Sequence, residues 1–167
     1  MAYILLSDLV TRFGAEELAQ VSDRALPRLV DSALLSLVAS GGDTSGYSAE
    51  ALAAAAVSAG NIGQSIADAE SAIDGYLSSR YLTPLAPVPD IVKRLACDVA
   101  RYYLYDDHAT ETVQKRYDAA IAFFRDVSAG KVSLGAEVQS SGVASTGGGS
   151  VEMVTAGRVF SRSARGL

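Results

Sequence analysis

Apolar side chains recur along most of this chain at helical rather than strand spacing. After a short apolar lead, Ser7-Asp8 reads as a helix start for Leu9-Val10-Thr11-Arg12-Phe13. Gly14 is placed to stop that helix, because glycine tolerates a left-handed cap. A second short piece runs from Ala15 to Val21. A third is expected from Asp23, where Leu26, Leu29, Val30, Ala33, Leu34, Leu37 and Val38 mark one face and Pro27 fits the first turn. Residues 40–47 read as a loop, and Ser48-Ala49-Glu50 opens an alanine-rich segment to Ala59. Past Gly60, a separate amphipathic helix is expected, with Ile62, Ile66, Ala69, Ile73, Tyr76 and Leu77 on one face and Gln64, Asp68, Glu70 and Asp74 on the other.

Pro84, Pro87 and Pro89 forbid helix and predict a stiff, extended crossing between Arg80 and Asp90. Asp90 then restarts a helix on Ile91, Leu95, Val99, Tyr102 and Tyr103. After Asp106-Asp107-His108 a last helix follows on Val113, Tyr117, Ala120, Ile121, Phe124 and Val127, and the two form a natural antiparallel pair. Beyond Gly130 the composition turns to Ser, Gly and Val, with residues 140–150 reading as a linker. An alternating, strand-like Val151-Glu152-Met153-Val154-Thr155 comes next. The predicted class is therefore mainly α: a small antiparallel helical bundle over residues 1–130, with a flexible Gly/Ser-rich C-terminal arm over 131–167 that includes a short β-strand.

The chain has 167 residues, enough for one sizeable core, and its 49% apolar and 20% charged residues are ordinary globular usage. Its net charge of −5 hides a split. Residues 1–130 carry 10 basic and 17 acidic side chains, net −7, while 131–167 carry 4 basic and 2 acidic, net +2. An acidic body argues against a general grip on nucleic-acid phosphates. No apolar run approaches the roughly 20 residues of a membrane-spanning helix. The opening residues lack the basic region and cleavage site of a signal peptide, so a cytoplasmic protein without membrane partners is expected.

Little catalytic chemistry is legible, so the protein is not expected to be an enzyme or to carry a cofactor or metal. Cys97 is the sole thiol and reads as a small buried apolar residue. His108 follows two aspartates, but consecutive residues at a helix junction rarely converge on one ion, and helix capping is the better reading. Thr146-Gly147-Gly148-Gly149-Ser150 lacks the lysine of a phosphate loop. Asp68, Glu70 and Asp74 fit a solvated or subunit-facing helix side better than an acid pair. Tyr102, Tyr103 and Tyr105 with Arg101 have the makings of a base-stacking surface, yet aromatics at helical spacing belong more often to a core.

Taken in order, several fragments resemble a family of tailed-phage proteins typified in Mu-like phages and placed in the neck of the virion. They are Leu9-Val10-Thr11-Arg12-Phe13-Gly14 with Glu16-Glu17-Leu18, the run from Ala67 to Leu85, Val88-Pro89, Asp98-Val99-Ala100-Arg101-Tyr102, Lys115-Arg116-Tyr117-Asp118-Ala119-Ala120, residues 130–135, and Arg158-Val159-Phe160-Ser161-Arg162. The pattern departs from the family at residues 40–62, which look inserted. The resemblance implies a helical adaptor that docks beneath the portal protein as a homo-oligomeric ring of about twelve copies. It also implies a surface offered to a tail-side neck or terminator protein, and packaged DNA passing through the ring without specific recognition. Such a protein would wait in the host cytoplasm until it joins the virion. On this reading Arg158, Val159, Phe160, Arg162 and Leu167 are the portal-reaching end, and Asp68 and Asp74 are candidate neighbour or channel contacts. A tail-completion or terminator protein is the alternative, though such proteins are more often mixed α/β. A small DNA-binding regulator would need a basic face.

Overall fold

Glycine and short polar side chains set several of the helix ends among the described residues. The computed structural model describes residues 2–25 and 28–135. Among them six α-helices follow one another: α1 (Leu6–Phe13), α2 (Ala15–Ser22), α3 (Ser32–Ser40), α4 (Ala49–Leu77), α5 (Asp90–Tyr105) and α6 (Glu111–Ser128). A 3₁₀ turn at Asp106–His108 precedes α6. Gly14 breaks α1 from α2 at φ +88°, a backbone region that favours glycine. The side chains of Asp31, Ser48 and Thr110 cap α3, α4 and α6 by accepting from the backbone N–H groups of Ala33, Ala51 and Val113.

Two expectations are corrected. The alanine-rich segment and the amphipathic stretch after Gly60 are one continuous helix, α4, 29 residues long and so roughly 43 Å at the α-helical rise. Gly60 and Gly63 each cost about 1 kcal/mol in a helix interior. Alanine's high propensity and the burial of Ala55, Ile62, Ile66, Ala69, Ile73 and Leu77 along one side outweigh that cost. The second half of the segment read as an insertion, residues 40–62, is thus the beginning of the longest helix. The third helix begins at Ser32 rather than Asp23, because the Asp23 carboxylate captures nearby backbone N–H groups and stabilises a loop instead. Leu26 and Pro27 lie outside the described residues, as does the strand-like run at 151–155.

The last two helices form the expected pair, and α5 is the centre of the molecule. It contacts α1, α2, α4 and α6, and Leu95 through Ala100 are all buried, so this stretch is covered on every side. At the end of α6 the carbonyl of Val127 accepts from Arg80 Nη1 just beyond the end of α4, at 3.4 Å. α6 therefore runs alongside α4, with α5 returning between them. Arg80 passes over Gly130, where a Cβ would lie 2.5 Å from its Nη1. The chain after α6 stays on the bundle through Gly135: Val132 and Leu134 pack against the core, and the Leu134 N–H donates to the hydroxyl of buried Tyr81 at 3.1 Å.

The glycines give a direct check on this packing. Gly60 has open space where a Cβ would go, whereas Gly130 combines φ +80° with the Arg80 guanidinium. Gly60→Ala should stabilise the fold by about 0.5–1 kcal/mol, and Gly130→Ala should destabilise it by about 1–2 kcal/mol, both read from urea unfolding midpoints.

Candidate interaction surface

The most distinctive polar centre is Asp23, which follows α2. One carboxylate oxygen accepts from the Ala25 N–H at 2.9 Å, and the other accepts from Leu29 and Val30 at 2.7 and 2.9 Å. Burial alone would raise this carboxyl's pKa. The three donors, together with the positive charge of Arg28, outweigh that and hold it below the ordinary aspartate value. The base of the loop is tied to α4 as well: the Ser22 and Ser58 hydroxyls are hydrogen-bonded to each other, and Asn61 Nδ2 donates to the Ser22 carbonyl at 2.9 Å.

This loop forms one wall of two depressions. On one side an apolar groove of about 470 Å³ runs between Ala25 and Leu29 of the loop and Ala53, Ala54 and Val57 of α4, with Arg24 and Glu50 also at its lining. On the other, a cleft of about 520 Å³ separates Arg24 and Arg28 from Asp106, Asp107 and His108 at the α5–α6 junction. Leu29 and Val57 are large apolar side chains left exposed at the groove. No sequence signal joined them, because the groove is assembled from segments about 25 residues apart.

The two predicted α4 carboxylates are not brought together. Asp68 is exposed and accepts from Gln64 Nε2 at 2.9 Å. Asp74 is half-buried and accepts from the Tyr3 hydroxyl, whose oxygen in turn accepts from the Leu85 N–H at 3.2 Å. Glu70, one turn earlier, accepts from the backbone N–H of Tyr3 and of Ile4. Glu70 and Asp74 thus fasten the start of the chain to α4, a role that sequence reasoning missed because the partners are some 70 residues away. Burial, then the Asp74 hydrogen bond, push the Tyr3 phenol far above its ordinary pKa.

Tyr102, Tyr103 and Tyr105 are engaged with one another, with Tyr117 or with an acid. Tyr102 stacks on Tyr117 at 4.0 Å between ring centroids. Arg101 and Tyr105 both donate to Glu17 Oε1, at 2.6 and 2.9 Å, and the Arg101 guanidinium lies 4.5 Å over the Phe13 ring. Asp98 is buried in α5 with Arg12 and Arg116 each 3.9 Å away, and its Oδ1 has no hydrogen-bond partner among the described residues. Burial pushes the Cys97 thiol up to about 11, which leaves it unreactive at neutral pH. His108 is exposed, and among the described residues no group of three His, Cys, Asp or Glu is placed to hold a metal ion. No described helix is long and apolar enough to cross a membrane. Arg158, Val159, Phe160, Arg162 and Leu167 lie outside the described residues.

Comparison with known proteins gives the family of this chain. The family model described as Bacteriophage Mu, Gp36 matches residues 3–153. The chain belongs to the bacteriophage Mu Gp36 family. It is 36% identical to the Mu-like prophage FluMu protein gp36 of Haemophilus influenzae over 100 residues, covering 60% of this chain and 70% of that one. It is 35% identical to gene product J of Escherichia phage Mu over 104 residues, or 62% and 73% of the respective chains. The Gp36 match takes in the whole described bundle and continues to Met153.

Asp23 supplies the test of the loop in this Gp36-family protein. Replacing it by Asn should cost about 2 kcal/mol, because a charged acceptor for three N–H groups is lost. Since the folded-state pKa is lowered, the stabilisation is complete above about pH 4 and is lost as pH falls through the depressed folded value. The stability gap between wild type and Asp23→Asn should therefore narrow in that window, and a gap independent of pH would show that the charge is unimportant.

Proposed function

We propose that this protein is a structural protein of the phage virion and a subunit of the head-to-tail connector, docking on the portal protein as a homo-oligomeric ring of about twelve copies. The observation that carries the reading is the Gp36-family match across residues 3–153, shared with proteins of phage Mu and a Mu-like prophage. Three physical features support it. The bundle is built wholly from helices among the described residues, a rigid form suited to lateral packing in a ring. The excess of acidic over basic residues before Gly130 lets DNA slide past where clustered Lys and Arg would hold it. The basic, partly apolar end carrying Arg158, Val159, Phe160, Arg162 and Leu167 offers charge and anchoring groups to the portal. The role requires no catalysis and no cofactor, and the ring's far side meets a tail-side neck or terminator protein.

Mixing the purified protein with the portal ring from the same phage and measuring the complex by light scattering after size exclusion tests this. A mass gain of a fixed number of subunits per portal ring is expected, and truncation after Gly149 should leave a folded bundle that adds no mass. Absence of any gain with the full chain, accompanied by binding to tail tubes, would replace the connector reading by tail completion.

A further inference from the structure

Arg80 and Tyr81, consecutive residues just past α4, hold both ends of the strap that runs from Gly130 to Leu134. The Arg80 guanidinium covers Gly130 and donates to the Val127 carbonyl at 3.4 Å. The hydroxyl of fully buried Tyr81 accepts from the Leu134 N–H at 3.1 Å. Further along the same connector, the Leu85 N–H donates to the Tyr3 hydroxyl at 3.2 Å. Tyr3 is itself buried, and Asp74 and Glu70 fasten it to α4. The stretch from Tyr81 to Leu85 is thus gripped at one end by the strap after α6 and at the other by the beginning of the chain.

Little else fixes this stretch. Pro84 has no N–H to give, and among the described residues Leu85 carries the one backbone N–H between Leu82 and Val88 that finds a hydrogen-bond partner. Tyr81 and Leu85 lie in the same apolar core as Tyr3, Leu77 and Val127, with Val132 and Leu134 packed against it. In a close-packed core neither grip shifts without its neighbours repacking. Lifting the strap also takes the Leu134 N–H from the Tyr81 hydroxyl, and a buried polar group left unpaired is costly enough to drive the ring to a new position. We propose that the lead around Tyr3 and the strap from Gly130 to Leu134 form one latch coupled through residues 81–85, so that loosening either segment loosens the other. The strap leads into the end proposed to reach the portal, so engagement of that end is carried back to the start of the chain. Only this use of the latch rests on the connector reading; the coupling itself requires neither a portal nor a ring.

Amide hydrogen exchange on the full-length protein, read residue by residue by NMR, tests the latch with no partner present, so failure of portal binding and failure of the latch are separate results. Tyr81→Phe and Tyr3→Phe each keep the ring and remove the hydroxyl. Tyr81→Phe should speed exchange of the Leu134 N–H directly, and through the coupling it should speed the Leu85 N–H by about fivefold or more. Tyr3→Phe should do the converse, speeding Leu85 directly and Leu134 by a similar factor, because coupling between two sites is reciprocal. The Val99 N–H, in the buried middle of α5, reports any change in the whole fold and should change less than either. Acceleration confined to the amide that loses its own acceptor, or acceleration matched by Val99, would overturn the proposal.

Discussion

Removal of water from the seams around α5 supports everything else in this protein. α5 is buried through Leu95–Ala100, and α1, α2, α4 and α6 all lie against it. Each Leu, Ile or Val side chain buried there is worth about 1.5–3 kcal/mol. The long α4 gains its continuity from the same seam: a run containing Gly60 and Gly63 would be a poor helix alone, but Ile62, Ile66, Ala69, Ile73 and Leu77 keep one side dry. Once α4 is continuous, its first turns stand beside the Asp23 loop, and the groove follows from that.

Carboxylates in this body do more than set its charge. Asp8, Asp23, Asp31, Asp43 and Glu70 each accept from backbone N–H groups, and Asp74 accepts from a buried phenol. An acidic composition thus serves as a set of local fasteners for helix starts, turns and the chain's beginning. The same negative charge faces any DNA that passes nearby, so one compositional choice serves both folding and the lack of grip proposed for a channel.

The sequence pattern made α1, α2, α5 and α6 legible, because their apolar positions repeat at helical spacing between clear stop signals. It misplaced the start of α3, since a carboxylate that bonds to N–H groups six and seven residues ahead leaves no periodic mark; Asp23 looks like any N-cap. It divided α4 at Gly60 because alanines carry no amphipathic contrast and glycine imitates a boundary. Asp68 and Asp74 looked equivalent on paper, but the distant Tyr3 engages one of them and leaves the other on the surface. The groove was invisible for a related reason: Leu29 read as part of a buried helix face and Val57 as part of an alanine run, and only the tertiary fold sets them side by side.

The most direct test of the account is to locate this protein in the intact particle with gold-labelled antibodies raised against the purified chain, viewed by electron microscopy of virions and of tail-less heads. The account predicts label at the single vertex where the tail joins, present on heads that have completed packaging but lack tails. Label confined to free tails, or spread along the tail tube, would contradict it.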